Sequence, residues 1–79
     1  MRREALGRAL ADARQQAGLT QGELADISGV SRPTLSRLER GTSSISSDRL
    51  WDLAAACGTT PAALFEAAQA DERTMRSAN

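Results

Sequence analysis

The stretch LADISGVSRPTLSRLERG, residues 24–41, decides the fold. Its apolar residues recur at helical spacing on both sides of Gly29, which predicts two short helices joined by a tight turn. Gly29 supplies the positive φ that such a turn needs. Ser31 is the expected N-cap of the second helix, so Pro33 falls in the first turn, where a missing N–H loses no hydrogen bond. The proline therefore marks the beginning of this helix, which we expect at residues 32–40.

The same signals predict helices on both sides of this stretch. Thr20 and Glu23 form a capping box that starts the first helix of the pair at Gln21. Ser46 or Ser47 is the expected cap of a fourth helix. A proline in the first turn marks the fifth helix as well. The expected helices occupy about residues 3–17, 21–28, 32–40, 47–57 and 61–69.

The fold class that follows is all-α. No stretch alternates apolar and polar residues as a half-buried strand would. The 79 residues suffice for one domain, which we place at residues 1–69. The segment ADERTMRSAN, residues 70–79, is polar and is expected to be a frayed tail.

The composition excludes several classes of function. The chain has no histidine and one cysteine, Cys57, so Cys–His and Ser–His catalytic pairs are absent and a zinc site is not expected. No paired carboxylates or phosphate-binding loop stand out either, and we predict no enzyme activity, cofactor or metal. No segment resembles a signal peptide or a membrane span, which favours a cytoplasmic protein with no membrane partner. The arginine and alanine bias is typical of a GC-rich bacterial coding sequence.

The charges balance over the whole chain but not along it. Ten arginines, with no lysine, match ten acidic residues, so no strongly basic tail is present. The third predicted helix, however, has three arginines and a single acid, Glu39. At about 100° per residue, Leu35 and Leu38 point inward together. The outward face then holds Pro33, Ser36, Arg37 and Arg40.

Residues 21–39 resemble the helix-turn-helix of the Cro and phage-repressor family, also called the XRE family. Ala25 falls where the two helices cross, and Gly29 falls at the turn. The RLERG stretch, residues 37–41, resembles the family's usual close of the second helix. The resemblance continues through LWDLAAACGTTPAALF, residues 50–65, and so covers most of the chain. The positions that pack the second helix match as well: Val30, Leu35 and Leu38.

The resemblance implies a compact five-helix, repressor-like domain in which the second and third helices form the helix-turn-helix. It implies a sequence-specific regulator of transcription, of the minimal repressor or controller type, that binds double-stranded DNA. An alternative is a protein-interaction module of the same fold, such as an antitoxin that binds a toxin. The neutral net charge keeps that alternative open.

The third predicted helix is the candidate for reading DNA bases. An α-helix fits the major groove, which is about 12 Å wide, and side chains near its N-terminus reach base edges. Arginine suits guanine because it donates two hydrogen bonds to O6 and N7. The expected base-reading residues are Arg32, Pro33, Thr34, Ser36 and Arg37.

A second set of residues is expected to bind the phosphate backbone. Gln21 matches the family position that binds a phosphate, and the N–H groups at the start of its helix favour an anion. Residues just beyond the third helix are placed to meet phosphates too. The expected phosphate-binding residues are Gln21, Ser31, Arg40, Thr42, Ser43, Ser44 and Arg14.

One ion pair is expected beneath this surface. Glu39 falls on the inward edge of its helix, which is an odd place for a free carboxylate. The resemblance implies that it pairs with Arg14, partly buried. Cys57 is expected to be a small core residue and not a redox site.

Trp51 lies off the apolar line of its helix, and two interpretations remain. It covers the edge of the core between the fourth and fifth helices, or it is an exposed anchor for a second subunit. One small domain reads only a few base pairs, so we expect a twofold homodimer on DNA. The interface candidates are Trp51, Leu64, Phe65 and Ala68.

Overall fold

The computed structural model describes residues 2–77, with side chains as far as residue 74. This part of the chain forms five helices and no strand, as the sequence predicts. The helices are α1 (Arg2–Gln16), α2 (Gln21–Ser28), α3 (Arg32–Arg40), α4 (Ser47–Ala56) and α5 (Pro61–Ser77). Within residues 2–77, no helix is both long and apolar enough to cross a lipid bilayer.

Short polar side chains fix where the helices begin. Thr20 Oγ1 accepts from Glu23 N–H at 3.1 Å, and Glu23 Oε1 accepts from Thr20 N–H at 2.9 Å, so the predicted capping box is confirmed. These hydrogen bonds hold the pKa of Glu23 below its usual value, the backbone N–H of Thr20 contributing most. The Ser31 and Ser46 side chains cap α3 and α4 by accepting from the backbone N–H three residues on. Side chains that compete with the helix backbone are therefore used at its ends, where backbone donors lack partners.

The core consists of two clusters of buried side chains. One joins α1 to α4 and α5, and the other holds α2 and α3 against α1 and α4. Burying a leucine contributes about 1.5–3 kcal/mol, so these contacts supply much of the stability. The first cluster contains Ala5, Ala9, Leu50, Ala54, Leu64 and Ala68. The second contains Leu10, Leu24, Val30, Leu35, Leu38 and Leu53.

Gly7 brings α1 and α3 into direct backbone contact. A Cβ at this position would lie 2.5 Å from the carbonyl oxygen of Leu38 and 2.6 Å from that of Glu39. Both distances are shorter than a van der Waals contact, so a side chain at this position would require the helices to shift apart. The sequence does not indicate this contact, because a glycine inside a helix can have several causes.

The end of α5 differs from the prediction. The sequence predicts that the fifth helix ends near Gln69, but α5 continues unbroken to Ser77. Residues 70–77 are polar yet contain no glycine or proline, and polarity alone does not end a helix. An ion pair supports the extension: Arg8 Nε of α1 donates to Asp71 Oδ2 at 2.7 Å. The predicted boundary at residue 69 therefore has no counterpart in the backbone, and residues 78–79 lie outside the described part.

Candidate nucleic-acid interface

The helices α2 and α3 form a compact unit around a tight turn. Gly29 ends α2 with a φ of 77°, which confirms the left-handed conformation expected at this turn. Val30 then enters the core, and its N–H donates to Ser28 Oγ at 3.2 Å. Leu35 and Leu38 are fully buried. Since the inner face of α3 is fixed by these leucines, its opposite face is presented to solvent as a rigid surface.

The five predicted base-reading residues lie in the first two turns of α3. Arg32, Pro33 and Arg37 are exposed, whereas Thr34 and Ser36 are half-buried. Ser36 was expected on the fully outward face, and the structure places it nearer the flank. The exposed surface of α3 is therefore dominated by arginine and proline, and the hydroxyl groups of Thr34 and Ser36 are less exposed.

A chain of hydrogen bonds connects Arg37 to the start of its helix. Ser31 Oγ accepts from Thr34 N–H at 3.4 Å and donates to Thr34 Oγ1 at 2.8 Å. Arg37 Nη2 donates to the same Thr34 Oγ1 at 3.3 Å. Thr34 Oγ1 thus accepts twice, and its own proton remains available to donate. The arrangement restricts the Arg37 guanidinium while leaving its other N–H groups available.

The predicted pair between Arg14 and Glu39 is present and is nearly buried. Arg14 Nε donates to Glu39 Oε2 at 2.8 Å and Arg14 Nη2 donates to Oε1 at 3.1 Å, a two-bond arrangement. Only 13% of the Arg14 side chain and 7% of the Glu39 side chain are exposed. The hydrogen bonds with Glu39 raise the pKa of Arg14 and outweigh the opposing effect of burial. A further bond from Arg14 Nη1 to the carbonyl oxygen of Leu19, at 2.9 Å, ties the pair to the start of α2.

Gln21 joins this ion pair, which the sequence did not indicate. Its Nε2 donates to Glu39 Oε1 at 3.1 Å. The side-chain amide of glutamine has two N–H groups, so one is engaged by Glu39 and the second remains free to donate. The contact links the N-terminus of α2 to the C-terminal end of α3. No periodicity in the sequence could have revealed it, because it arises only from how the two helices pack.

The remaining phosphate-binding candidates lie along the end of α3 and the loop that follows. Arg40 and Ser44 are exposed, and Ser43 is half-buried. Thr42 Oγ1 donates to the carbonyl oxygen of Arg37 at 3.2 Å, so this hydroxyl caps the helix. The hydroxyl proton of Ser31 is likewise engaged by Thr34. Both hydroxyl oxygens can still accept a hydrogen bond, but both hydroxyl protons are already donated to groups within the protein.

The electrostatics of this surface are more basic than the net charge suggests. The single acid of α3, Glu39, is neutralised by Arg14. The three arginines of the helix therefore face solvent without a nearby carboxylate of their own helix to oppose them. Among the side chains that the structure describes, no three acidic, cysteine or histidine groups come together as a metal site would require.

The other residues that the sequence analysis marked lie away from α3. Cys57 is half-buried beside the second core cluster, as expected, and burial raises the pKa of its thiol. Trp51 is 65% exposed, which excludes the interpretation that it covers the core. Leu64 and Ala68 are buried in the core, so of the four interface candidates only Trp51 and Phe65 remain on the surface. Ile27 is also exposed, which the sequence did not indicate.

A basic helix held on a two-helix unit by a glycine turn defines a helix-turn-helix DNA-binding protein. A model of the helix-turn-helix family HTH_3 matches residues 10–64, which is more than half of the chain. The chain therefore belongs to this family and is a DNA-binding regulator of transcription.

Solved structures of two regulators are similar to this chain. The clp gene regulator ClgR from Corynebacterium glutamicum has a TM-score of 0.94 and 38% sequence identity, over 98% of this chain and 82% of that chain. The restriction-modification controller protein C.AhdI from Aeromonas hydrophila has a TM-score of 0.76 and 32% identity, over 78% of this chain and 94% of that chain. A comparison with curated protein sequences gives no match.

Proposed function

We propose that the protein regulates transcription by placing α3 in the major groove of a specific operator. The observation that carries this proposal is the tethered Arg37, which projects from a basic helix face while Thr34 restricts its guanidinium. A restricted guanidinium loses less conformational freedom when it donates two hydrogen bonds to guanine O6 and N7. The proposed base-reading residues are Arg32, Pro33, Thr34, Ser36 and Arg37.

The proposed phosphate contacts flank α3 on both sides. Gln21 has one amide N–H free beside the N-terminus of α2, whose backbone N–H groups also favour an anion. Arg40 and Ser44 are exposed at the other end of the surface. Contacts at both ends would fix the register of α3 in the groove without reading sequence. The complete proposed set is Gln21, Ser31, Arg40, Thr42, Ser43, Ser44 and Arg14.

We propose further that two copies bind one operator. A recognition helix of nine residues contacts only a few base pairs, which is too little to single out one site among about 10⁶ or more competitors. A twofold dimer would place two α3 helices about 34 Å apart on a pseudo-palindrome. The support from the surface is Trp51, since a tryptophan that is 65% exposed is a typical interface anchor.

Selection of bound sequences from random duplex DNA tests these proposals together. The expected result is an enriched motif with inverted symmetry and half-sites one helical turn apart. Binding should weaken steeply with salt, because phosphate contacts release counterions. Failure to enrich any motif, with the fold intact by circular dichroism, would contradict operator recognition, and a motif without symmetry would contradict the dimer.

A matched control separates α3 from general charge effects. Arg37→Ala and Arg8→Ala each remove one positive charge, but Arg8 lies on α1 and pairs with Asp71. Selection with the Arg37 variant should lose the preference at one base position. Selection with the Arg8 variant should return the original motif.

A further inference from the structure

A groove lies apart from the proposed base-reading face. It forms where the beginning of α1, the loop between α3 and α4, and the middle of α5 meet, and its volume is about 580 Å³. Small-molecule sites in proteins typically enclose about 300–1,000 Å³. The groove is therefore large enough for an organic ligand, and none of the proposed base-reading residues lines it.

The floor of the groove is apolar. Leu6 and Ile45 pack against the core with part of their surface left open, and Ala68 closes the base. Phe65 stands along one side and is 50% exposed. Phe65, Leu6 and Ile45 together form an apolar surface. An apolar ligand that lies on this surface is partly removed from water, which favours binding.

The rim of the groove is basic. Arg2 and Arg3 line it from α1, and Arg73 lines it from α5. Among the side chains described, none of these three arginines forms an ion pair. The single acid of the lining is Glu72, so positive charge predominates. Unpaired guanidinium groups around an apolar floor favour a carboxylate, which each can bind with two hydrogen bonds.

We propose that this groove binds an amphipathic organic acid, whose chain or ring lies on the apolar floor and whose carboxylate meets the arginine rim. The nature of the floor favours this ligand over a DNA phosphate, since a phosphodiester has no apolar group to cover Phe65. A cationic or uncharged ligand of the same shape would leave the arginines without a partner.

A ligand bound in the groove would also affect DNA binding. Ser43 and Ser44 form part of its wall, and they belong to the loop that follows α3. A ligand that contacts this wall changes the free energy of the loop and thus of the phosphate contacts proposed there. This coupling rests on the proposed function, whereas binding of the acid itself does not.

Calorimetric titration with decanoate, kept below the concentration at which it forms micelles, tests the site in the absence of DNA. The expected result is saturable binding of one decanoate per chain. Octanoate should bind more weakly by up to about fifteenfold, because each buried methylene contributes about fourfold. Decyltrimethylammonium, with the same chain and the opposite charge, should not saturate.

Variants assign the binding to the groove. Arg3→Gln and Phe65→Ala should each weaken decanoate binding at least fivefold, while Arg8→Gln, on α1 but outside the groove, should leave it unchanged. Circular dichroism would show that each variant is folded. Equal binding by the Arg3 and Arg8 variants, or equal binding of the cationic probe, would overturn the proposal. So would a dimer in sedimentation that takes up no decanoate and whose assembly requires Phe65, since a second copy would then fill the groove.

The effect on DNA separates the two proposals. The affinity for a selected operator should change at least threefold when decanoate is present, and this change should vanish in the Arg3→Gln variant. Decanoate binding without operator binding would leave the groove assigned and the DNA proposal contradicted. Operator binding with no decanoate uptake would give the reverse result.

Discussion

The outer face of α3 and the groove beside α5 each carry three arginines, yet their surroundings differ. On α3, Arg37 is hydrogen-bonded to Thr34 and lies among hydroxyl groups. In the groove, the arginines surround Phe65 and aliphatic carbon. The number of positive charges therefore does not by itself define what a surface binds. Polar neighbours that orient an arginine suit a polyanion such as DNA, whereas apolar neighbours suit an anion with a hydrocarbon part.

The largest expected effect tests the support beneath α3. Glu39→Ala leaves the nearly buried Arg14 without its carboxylate, so the free energy of unfolding should fall by about 3–5 kcal/mol. Urea melts of Glu39→Ala, Arg14→Ala and the double variant would measure it. The double variant should lose less than the sum of the two single losses.

The exposed pair between Arg8 and Asp71 is the matched control for that measurement. Its side chains are 45% and 32% exposed, so solvent screens the interaction, and Arg8→Ala should change stability by about 0–1 kcal/mol. Strict additivity for Arg14 and Glu39, or an equal loss at Arg8, would contradict the role of the buried pair.

The next effect concerns recognition itself. Arg37→Ala should reduce the free energy of binding to the selected operator by about 1–3 kcal/mol and relax the preference at one position. Gln21→Ala should instead weaken binding to all sequences about equally, because its proposed contact is with the phosphate backbone of DNA. Fluorescence anisotropy with operator and random duplexes distinguishes the two. Equal losses of the Arg37 variant on both duplexes would refute its role in reading bases.

A smaller effect is expected at Trp51, which lies on α4. Trp51→Ala removes an exposed side chain, so stability should change by no more than about 0.5 kcal/mol. The proposed pairing on DNA should nevertheless weaken. Sedimentation on a selected duplex should show two copies of the native protein and a larger fraction of singly bound duplex for the variant. If the variant assembles like the native protein, Trp51 is not the anchor.

The smallest effect is a dependence on pH from the capping box. The pKa of Glu23 in the folded protein lies below its usual value of 4.5, so its carboxylate stabilises the fold above that pH. This contribution should disappear as the pH falls through the lowered pKa. Thermal melts at pH 7 and pH 3 should show that Glu23→Gln loses less stability on acidification than the native protein does. An identical loss in both would show that the negative charge of Glu23 contributes nothing to stability.

Local signals explain why so much of the DNA-binding unit could be predicted from the sequence. Ser31 and Pro33 mark the start of α3, and the capping box marks the start of α2, because caps and turns depend on a few adjacent residues. The spacing of Leu35 and Leu38 then determines which face of α3 is left exposed to solvent. These features require no knowledge of the rest of the fold.

The predictions from sequence were incomplete where the structure depends on contacts between residues that are distant in the chain. The ion pair of Asp71 with Arg8, 63 residues earlier in the chain, could not be predicted from the sequence. The engagement of Gln21 by Glu39 depends on how α2 meets α3. Leu64 was a candidate for an interface and is instead covered by α1 and α4. Hydrophobicity marks a residue for burial, but it does not specify which partner covers it.

Gly7 gives the DNA-binding surface one of its dimensions. The backbone of α1 contacts carbonyl groups near the end of α3 at this residue. Because glycine has no Cβ, the distance between the two helices is shorter than any other amino acid would allow. A substitution there would raise or tilt the whole helix without altering any side chain in the proposed DNA contacts. In a twofold assembly such a tilt is applied twice, with opposite sense. In the proposed twofold assembly, the distance between half-sites that fits the protein would thus be partly determined by a residue behind α3 that belongs to neither proposed set of DNA contacts.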